Sequence, residues 1–141
     1  MKLLLLAAAA LMGLPSSHAF ADSIRVNVSG VTGSAGQIGC GLHNSGASFP
    51  TGHGGITTVW VVPTGTSAVC LFEDVAPGTY AVAVAHDLNG NRKTDTNLLG
   101  MPTEAWGVSG NIRPRLRAPR FDEAGFRVDD APVTVNVEVK R

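Results

Sequence analysis

The feature that most constrains the fold of this chain is a strict alternation of apolar and polar side chains close to residue 141. Valines occupy every second position there, and polar residues stand between them: Val133, Val135, Val137 and Val139 against Thr134, Asn136, Glu138 and Lys140. Because successive side chains of a β-strand point to opposite faces, a period of two predicts a half-buried strand. The same period, or a β-branched run, recurs at 23–29, 37–43, 56–62, 67–72, 79–86 and 125–128.

These short segments predict an all-β fold. Turn residues separate them at intervals of about 8–12 residues, which is typical of two-sheet proteins. Half-apolar sheets bury their valines against each other, so we predict a single antiparallel β-sandwich of about seven strands over residues 22–141. The alternation stops between Asp87 and Glu123. This stretch contains Trp106 and several leucines, and we therefore predict one long ordered loop there.

The first 21 residues predict a cleaved signal peptide. A charged start at Lys2 precedes an apolar run over 3–14, and Ala19-Phe20-Ala21 provides a cleavage site. The run is shorter than the roughly 20 residues that span a bilayer, and no later stretch reaches that length. We therefore expect an exported protein, periplasmic or extracellular, without a transmembrane segment. With 11 basic and 11 acidic side chains, bulk electrostatic binding to nucleic acid is not expected.

The two cysteines, Cys40 and Cys70, both follow the predicted signal peptide. Each is in phase with apolar residues of its own segment and is therefore expected to face the core. An even number of cysteines in an exported protein favours a disulfide between them. Two separate buried thiols are the alternative.

Oxygen-bearing groups follow the strand predicted to end near residue 86. Their spacing matches the first part of a calcium loop: Asp87, Asn89, Asn91, Lys93 (through its backbone carbonyl) and Asp95. Glu104 adds a carboxylate if the chain folds back. Arg92 stands where such loops carry glycine, and Leu98 where they carry a bidentate glutamate, so we expect a weak Ca²⁺ site. The alternative is a metal-free loop closed by Asx-turns, which the same residues favour.

The run from His86 to Asn111 carries an ordered set of short motifs. They are a His-Asp pair, Asn-x-Asn, an Asp four residues on, Gly-x-Pro-x-Glu and Gly-x-Ser, at His86, Asp87, Asn89, Asn91, Asp95, Gly100, Pro102, Glu104, Gly107 and Ser109. In these motifs the chain resembles a family of small exported bacterial proteins catalogued as a domain of unknown function. Segments 72–84 and 119–126 are similar to that family as well. The resemblance implies a prealbumin-like or immunoglobulin-like sandwich and implies no reaction.

Four arginines alternate with other residues in a proline-containing stretch: Arg113, Arg115, Arg117 and Arg120. Because prolines favour an extended chain, these arginines predict a strip that faces an anion such as a phosphate, a lipid headgroup or an acidic glycan. The alternative is a solvated loop whose arginines pair with the acidic residues at 122–123 and 129–130.

These observations predict an exported, non-catalytic module with a binding or structural role. Its partner is not identified by the sequence, and an anionic glycan, a lipid headgroup or a protein would each fit. Two other functions stay open. One is a small hydrolase whose acid/base pair comes from Asp87, Asp95 and Glu104. The other is an anion-binding module that uses the arginine strip over 113–120.

Overall fold

The computed structural model describes residues 22–51 and 55–141. The predicted signal peptide over 1–21 lies outside the described residues. The strands are β1 (Asp22–Ser29), β2 (Gln37–His43), β3 (Thr57–Val61), β4 (Ser67–Val75), β5 (Gly78–Asp87), β6 (Trp106–Val108), β7 (Phe126–Val128) and β8 (Val133–Glu138). Between β6 and β7 lie a 3₁₀ turn (Ser109–Asn111) and one short helix, α1 (Phe121–Ala124). The predicted all-β class is confirmed. In the described ranges, no helix has the length and apolarity needed to cross a membrane.

The strands form two sheets. The first has the order β4-β1-β8, and the second has the order β3-β2-β5-β6, with β7 paired to the start of β5. Strands β1 and β8 run parallel, whereas the other named pairs are antiparallel. The predicted antiparallel arrangement therefore fails at this one pair. The physical reason is that the chain enters the first sheet as β1, and after its last crossing to the second sheet it comes back as β8, running in the same direction as β1.

Both sheets contribute alternate side chains to one core. Ile24, Val26 and Val28 of β1 are buried together with Ile38 and Leu42 of β2. Cys40 and Cys70 form a disulfide that links β2 in the second sheet to β4 in the first. The predicted disulfide is confirmed, and the alternative of two separate thiols is wrong.

The predicted loop between Asp87 and Glu123 contains a strand. Strand β6 pairs with β5 and divides the stretch into two shorter parts, which we call the 88–105 loop and the 112–120 loop. The strand is only three residues long and contains a glycine, so no alternation marks it in the sequence. Its position brings both loops to the same edge of the second sheet.

Candidate functional site

A row of small residues between two tryptophans crosses the outer face of the second sheet. Strand pairing aligns Trp60 with Gly39, Gly39 with Ala85, and Ala85 with Trp106. The adjacent row on this face consists of Thr58, Gly41, Ala83 and Val108. Neighbouring strands lie about 4.8 Å apart, so the tryptophan backbones are separated by about 14 Å. Small side chains between large ones leave a trough on the surface.

The trough has a volume of about 1110 Å³, and both loops form its walls. The 88–105 loop contributes residues 92–94, 96 and 100–102, and the 112–120 loop contributes residues 113–119. The two segments in which the sequence predicted functional residues therefore meet at one cavity. Asp87, Lys93, Arg113, Arg115 and Arg117 line it, whereas Asn89, Asn91, Asp95, Glu104 and Arg120 are not among its lining residues.

Trp60 covers the floor at one side of the trough. A Cβ atom at Gly39 would lie 2.6 Å from Cζ3 of the indole, so the ring rests directly on the glycine backbone. The guanidinium of Arg92 lies over the same ring, 5.4 Å from its centroid. Glycine at position 39 is therefore what allows the indole to lie flat on the sheet.

Trp106 forms the opposite wall and stacks with Arg113. The guanidinium carbon lies 4.1 Å from the ring centroid. The same guanidinium donates hydrogen bonds to the backbone carbonyls of Trp106 and Lys140. Burial lowers the pKa of Arg113, and the charge of Glu138 opposes that effect. These contacts fix the position of Arg113, which forms no ion pair with any carboxylate that the structure describes.

Positive charge dominates the trough. Among the described residues that line it, the basic ones are Arg92, Lys93, Arg113, Arg115, Arg117 and Arg141, and the acidic one is Asp87. Asp87 is only 1% exposed. Within the described part of the chain, Arg92, Lys93 and Arg115 form no ion pair. Their charges are therefore free to meet an anionic ligand.

The four arginines of the predicted strip have different partners. Arg117 forms two hydrogen bonds with Glu123, of 2.6 and 2.8 Å. This contact, together with a hydrogen bond from the backbone amide of Arg120, lowers the pKa of the Glu123 carboxyl to about 2. Arg120 lies 3.5 Å from Asp122 and 3.7 Å from Glu123. The predicted pairing with acidic residues thus describes Arg117 and Arg120. Arg113 and Arg115 line the trough, and neither forms an ion pair with a residue of 22–51 or 55–141.

The oxygen-bearing side chains at the start of the 88–105 loop accept backbone hydrogen bonds. The carboxylate of Asp87 accepts the amides of Gly90 at 2.9 Å and Arg92 at 2.6 Å. Asn89 and Asn91 each accept the amide two residues further on, at 3.1 and 3.0 Å. The contacts of Asn89 and Asn91 have the geometry of two successive Asx-turns, and Asp87 binds amides three and five residues further on.

Glu104 closes the base of the 88–105 loop. Its carboxylate is 5% exposed and accepts the backbone amides of Leu88 and Asp95, at 3.1 and 3.3 Å. The side-chain amides of Asn89 and Asn91 donate to the carboxylate of Asp95. In residues 22–51 and 55–141, no group of three or more His, Cys, Asp or Glu side chains is arranged to hold a metal ion. Calcium binding and the hydrolase both stay predictions.

Two buried side chains of this region hold the backbone together. His86 is 1% exposed, and its Nε2 is hydrogen-bonded to the carbonyl of Ala35 at 2.8 Å. The hydroxyl of Ser109 donates to the carbonyl of Ala124 at 2.7 Å and accepts the amide of Val82 at 2.9 Å. Both residues belong to the motifs of the 86–111 run, and both serve here as structural links.

Two features of this region were not predicted from the sequence: the trough and the burial of His43. His43 is 1% exposed, its Nε2 has no partner among the described residues, and burial lowers its pKa. The sequence of β2 contained a signal for both features, because Gly39, Gly41 and His43 alternate there with the core residues. Glycines at successive outer positions leave a sheet face bare.

Residues 26–136 match a family described as "Uncharacterized protein conserved in bacteria (DUF2141)". The match covers both loops and the strands that form the trough. No curated protein and no solved structure shows a significant match to the chain.

Proposed function

The chain belongs to the DUF2141 family of bacterial proteins, and on this premise we propose that it is an exported binding module whose trough holds an anionic ligand. The observation that carries the proposal is the bare sheet face between Trp60 and Trp106, together with the basic residues around it. Arg117 is paired with Glu123, whereas Arg92, Lys93, Arg113 and Arg115 form no ion pair among the described residues. A soluble domain normally covers its sheet faces with side chains. A concave face that combines aromatic walls with convergent charges is typical of a ligand site.

Electrostatics support an anion rather than a cation or a neutral ligand. Among the described residues, Asp87 is the one acidic side chain that lines the trough, and six basic side chains outnumber it, so the net charge of the lining is positive. Arg113 is held in place before any ligand arrives, which lowers the entropy that binding must overcome. Guanidinium groups also match the geometry of carboxylate and phosphate oxygens.

We propose a single prealbumin-like or immunoglobulin-like sandwich over 22–141, supported by the core that both sheets share and by the disulfide between them. Export is supported by the signal-peptide pattern of 1–21 and by that disulfide, since such bonds persist in oxidising compartments.

Tryptophan fluorescence offers a direct test, because both tryptophans of the chain line the trough. Segment 22–141, which holds both sheets and their core, is titrated with inositol hexakisphosphate, polygalacturonate and the uncharged polyol inositol. We expect the anions to change the emission and inositol to leave it unaltered. Increasing salt weakens the response, because it screens exposed charges.

Matched arginine variants show where the anion binds. Replacing both Arg113 and Arg115 with glutamine is expected to weaken anion binding by about tenfold or more, since charge-assisted hydrogen bonds are lost. Arg25→Gln is the control, because Arg25 is exposed on β1 in the other sheet. The proposal is wrong if no anion changes the emission, or if the control weakens binding equally.

For the 88–105 loop we propose that its own hydrogen bonds close it, and that the predicted Ca²⁺ site is not required. The oxygens of Asp87, Asn89, Asn91 and Glu104 already accept backbone amides, which supports this choice between the two hypotheses. We expect equal melting temperatures in chelator and in millimolar calcium, with magnesium as the control. A calcium-specific rise, on the order of ten degrees for a saturated site, would instead establish the ion site.

A further inference from the structure

A tight hairpin over residues 96–102 projects two leucines from one wall of the trough. Thr96 and Pro102 pair as an isolated bridge, and the amide of Asn97 donates to the carbonyl of Met101 at 2.9 Å. The side-chain oxygen of Asn97 accepts the amides of Leu99 and Met101, at 2.9 and 3.1 Å. The tip of the hairpin is thus held by its own hydrogen bonds. Its leucines do not fold back onto the protein.

The leucines at both walls are almost completely exposed. Leu98 is 106% exposed and Leu99 is 84% exposed, while Leu116 on the 112–120 loop is 99% exposed. Leu116 and the hairpin residue Met101 line the same trough. Exposure near 100% means that the rest of the domain covers almost none of these side chains. They are therefore protruding points on two loops and do not form a flat apolar patch.

Cations without carboxylate partners accompany these leucines. Lys93 precedes the hairpin in the 88–105 loop, and Arg115 is next to Leu116 in the sequence. Both are exposed, and neither forms an ion pair within the described part of the chain. Apolar side chains next to basic ones are suited to the boundary between acyl chains and anionic headgroups.

We propose that the anionic ligand of the trough is the headgroup layer of a phospholipid bilayer, and that Leu98, Leu99 and Leu116 insert past the headgroups into the acyl layer. This inference rests on the proposed function and specifies its partner. A fluid acyl layer accommodates separate protruding leucines, whereas a folded protein partner requires a continuous complementary surface. Lys93 and Arg115 then lie among the phosphates, and the trough faces the headgroups.

Vesicle sedimentation of segment 22–141 tests the inference. The vesicles consist of phosphatidylcholine alone or of phosphatidylcholine mixed with phosphatidylglycerol. We expect binding to the anionic vesicles only, with a decrease at high salt. Replacing Leu98 and Leu99 with serine should weaken partitioning by about tenfold for each leucine, because insertion of an apolar side chain is lost. Replacing Lys93 and Arg115 with glutamine should weaken it by about fivefold for each charge.

Two controls separate the membrane inference from the proposed function. Leu71→Ser changes a leucine that is 45% exposed on β4, in the other sheet, and should leave vesicle binding unaltered. The Leu98→Ser, Leu99→Ser double variant should retain the fluorescence response to inositol hexakisphosphate. Equal binding to both kinds of vesicle, or equal effects of the hairpin variant and Leu71→Ser, overturns the inference. If inositol hexakisphosphate binds and the vesicles do not, only the membrane inference fails; if neither binds, both proposals fail.

Discussion

Removal of the Cys40–Cys70 disulfide should destabilise the domain by a calculable amount. The bridge joins residues that are 30 apart in the sequence and belong to different sheets. For a closed loop of this size, the chain-entropy estimate gives about 3.6 kcal/mol at 25 °C. In a domain of this length, that loss corresponds to a decrease in melting temperature of roughly 12 °C.

Urea unfolding of three forms of segment 22–141 measures this loss. They are the oxidised protein, the reduced protein, and the variant in which Cys40 and Cys70 are both alanine. The reduced protein retains both sulfur atoms, so it reports the loss of the cross-link without the loss of packing atoms. The alanine variant adds the cost of two small core truncations. We also expect the urea dependence of the unfolding free energy to increase, because the unbridged chain unfolds to a more expanded state.

Either of two results would contradict a stabilisation that acts through the entropy of the unfolded chain. One is a free energy of unfolding that differs by less than about 1 kcal/mol between the reduced and the oxidised protein. The chain entropy for a sequence separation of 30 predicts a difference several times larger. The other is a reduced protein that is as destabilised as expected but has an unchanged urea dependence. That outcome would place the effect in the folded state rather than in the unfolded chain.

Three further substitutions probe the trough and its loops. Gly39→Ala should displace the indole of Trp60, because the new Cβ would lie 2.6 Å from the ring. We expect this variant to bind anions more weakly in the fluorescence titration and to lose about 1–3 kcal/mol of stability. Glu104→Ala should leave two backbone amides without their acceptor and raise the rate of proteolytic cleavage in the 88–105 loop. Arg117→Gln should raise the carboxyl pKa of Glu123 from about 2 toward 4.5, as followed by NMR titration.

The first of these predictions has a matched control, and each of the three has its own contrary outcome. For Gly39→Ala the control is Gly46→Ala, which adds a Cβ at an ordinary 3.5 Å contact and should leave stability and anion binding almost unaltered. Equal losses of stability and binding in the two variants would contradict the packing argument. Cleavage of the 88–105 loop at the wild-type rate in Glu104→Ala would show that the carboxylate does not hold the loop. Because the folded pKa of Glu123 is lowered, its pair with Arg117 stabilises the protein above about pH 4.5. That contribution disappears as the pH falls toward 2, and a constant stability across this window would contradict the assignment.

The strands could be predicted because side-chain alternation is a local property. In β8 and β1, each buried valine or isoleucine is separated from the next by one polar residue, and the sequence alone displays this pattern. The parallel pairing of these two strands could not be predicted in the same way, since nothing in either segment specifies its neighbour. Strand β6 escaped prediction because three residues, with glycine in the middle, are too few to display a period.

The candidate site was harder to predict than the strands. The row that joins Trp60, Gly39, Ala85 and Trp106 exists only once four strands are in register. The oxygen-rich motif was visible, but its meaning was ambiguous. A calcium loop and a series of Asx-turns both need side-chain oxygens at alternate positions, and the sequence does not show whether cations or backbone amides are their partners.

The parallel pair of strands has a consequence for how the domain folds. Strand β1 lies in the middle of its sheet, and its contacts with β8 join residues as far apart as Asn27 and Asn136, which are 109 positions distant. One hydrogen-bonding edge of β1 therefore stays open until β8 docks. Contacts over such distances slow folding, and open strand edges pair readily with other chains. A nascent chain interrupted before Val133 would expose that edge. The risk of aggregation through β1 therefore decreases once β8 has paired with it.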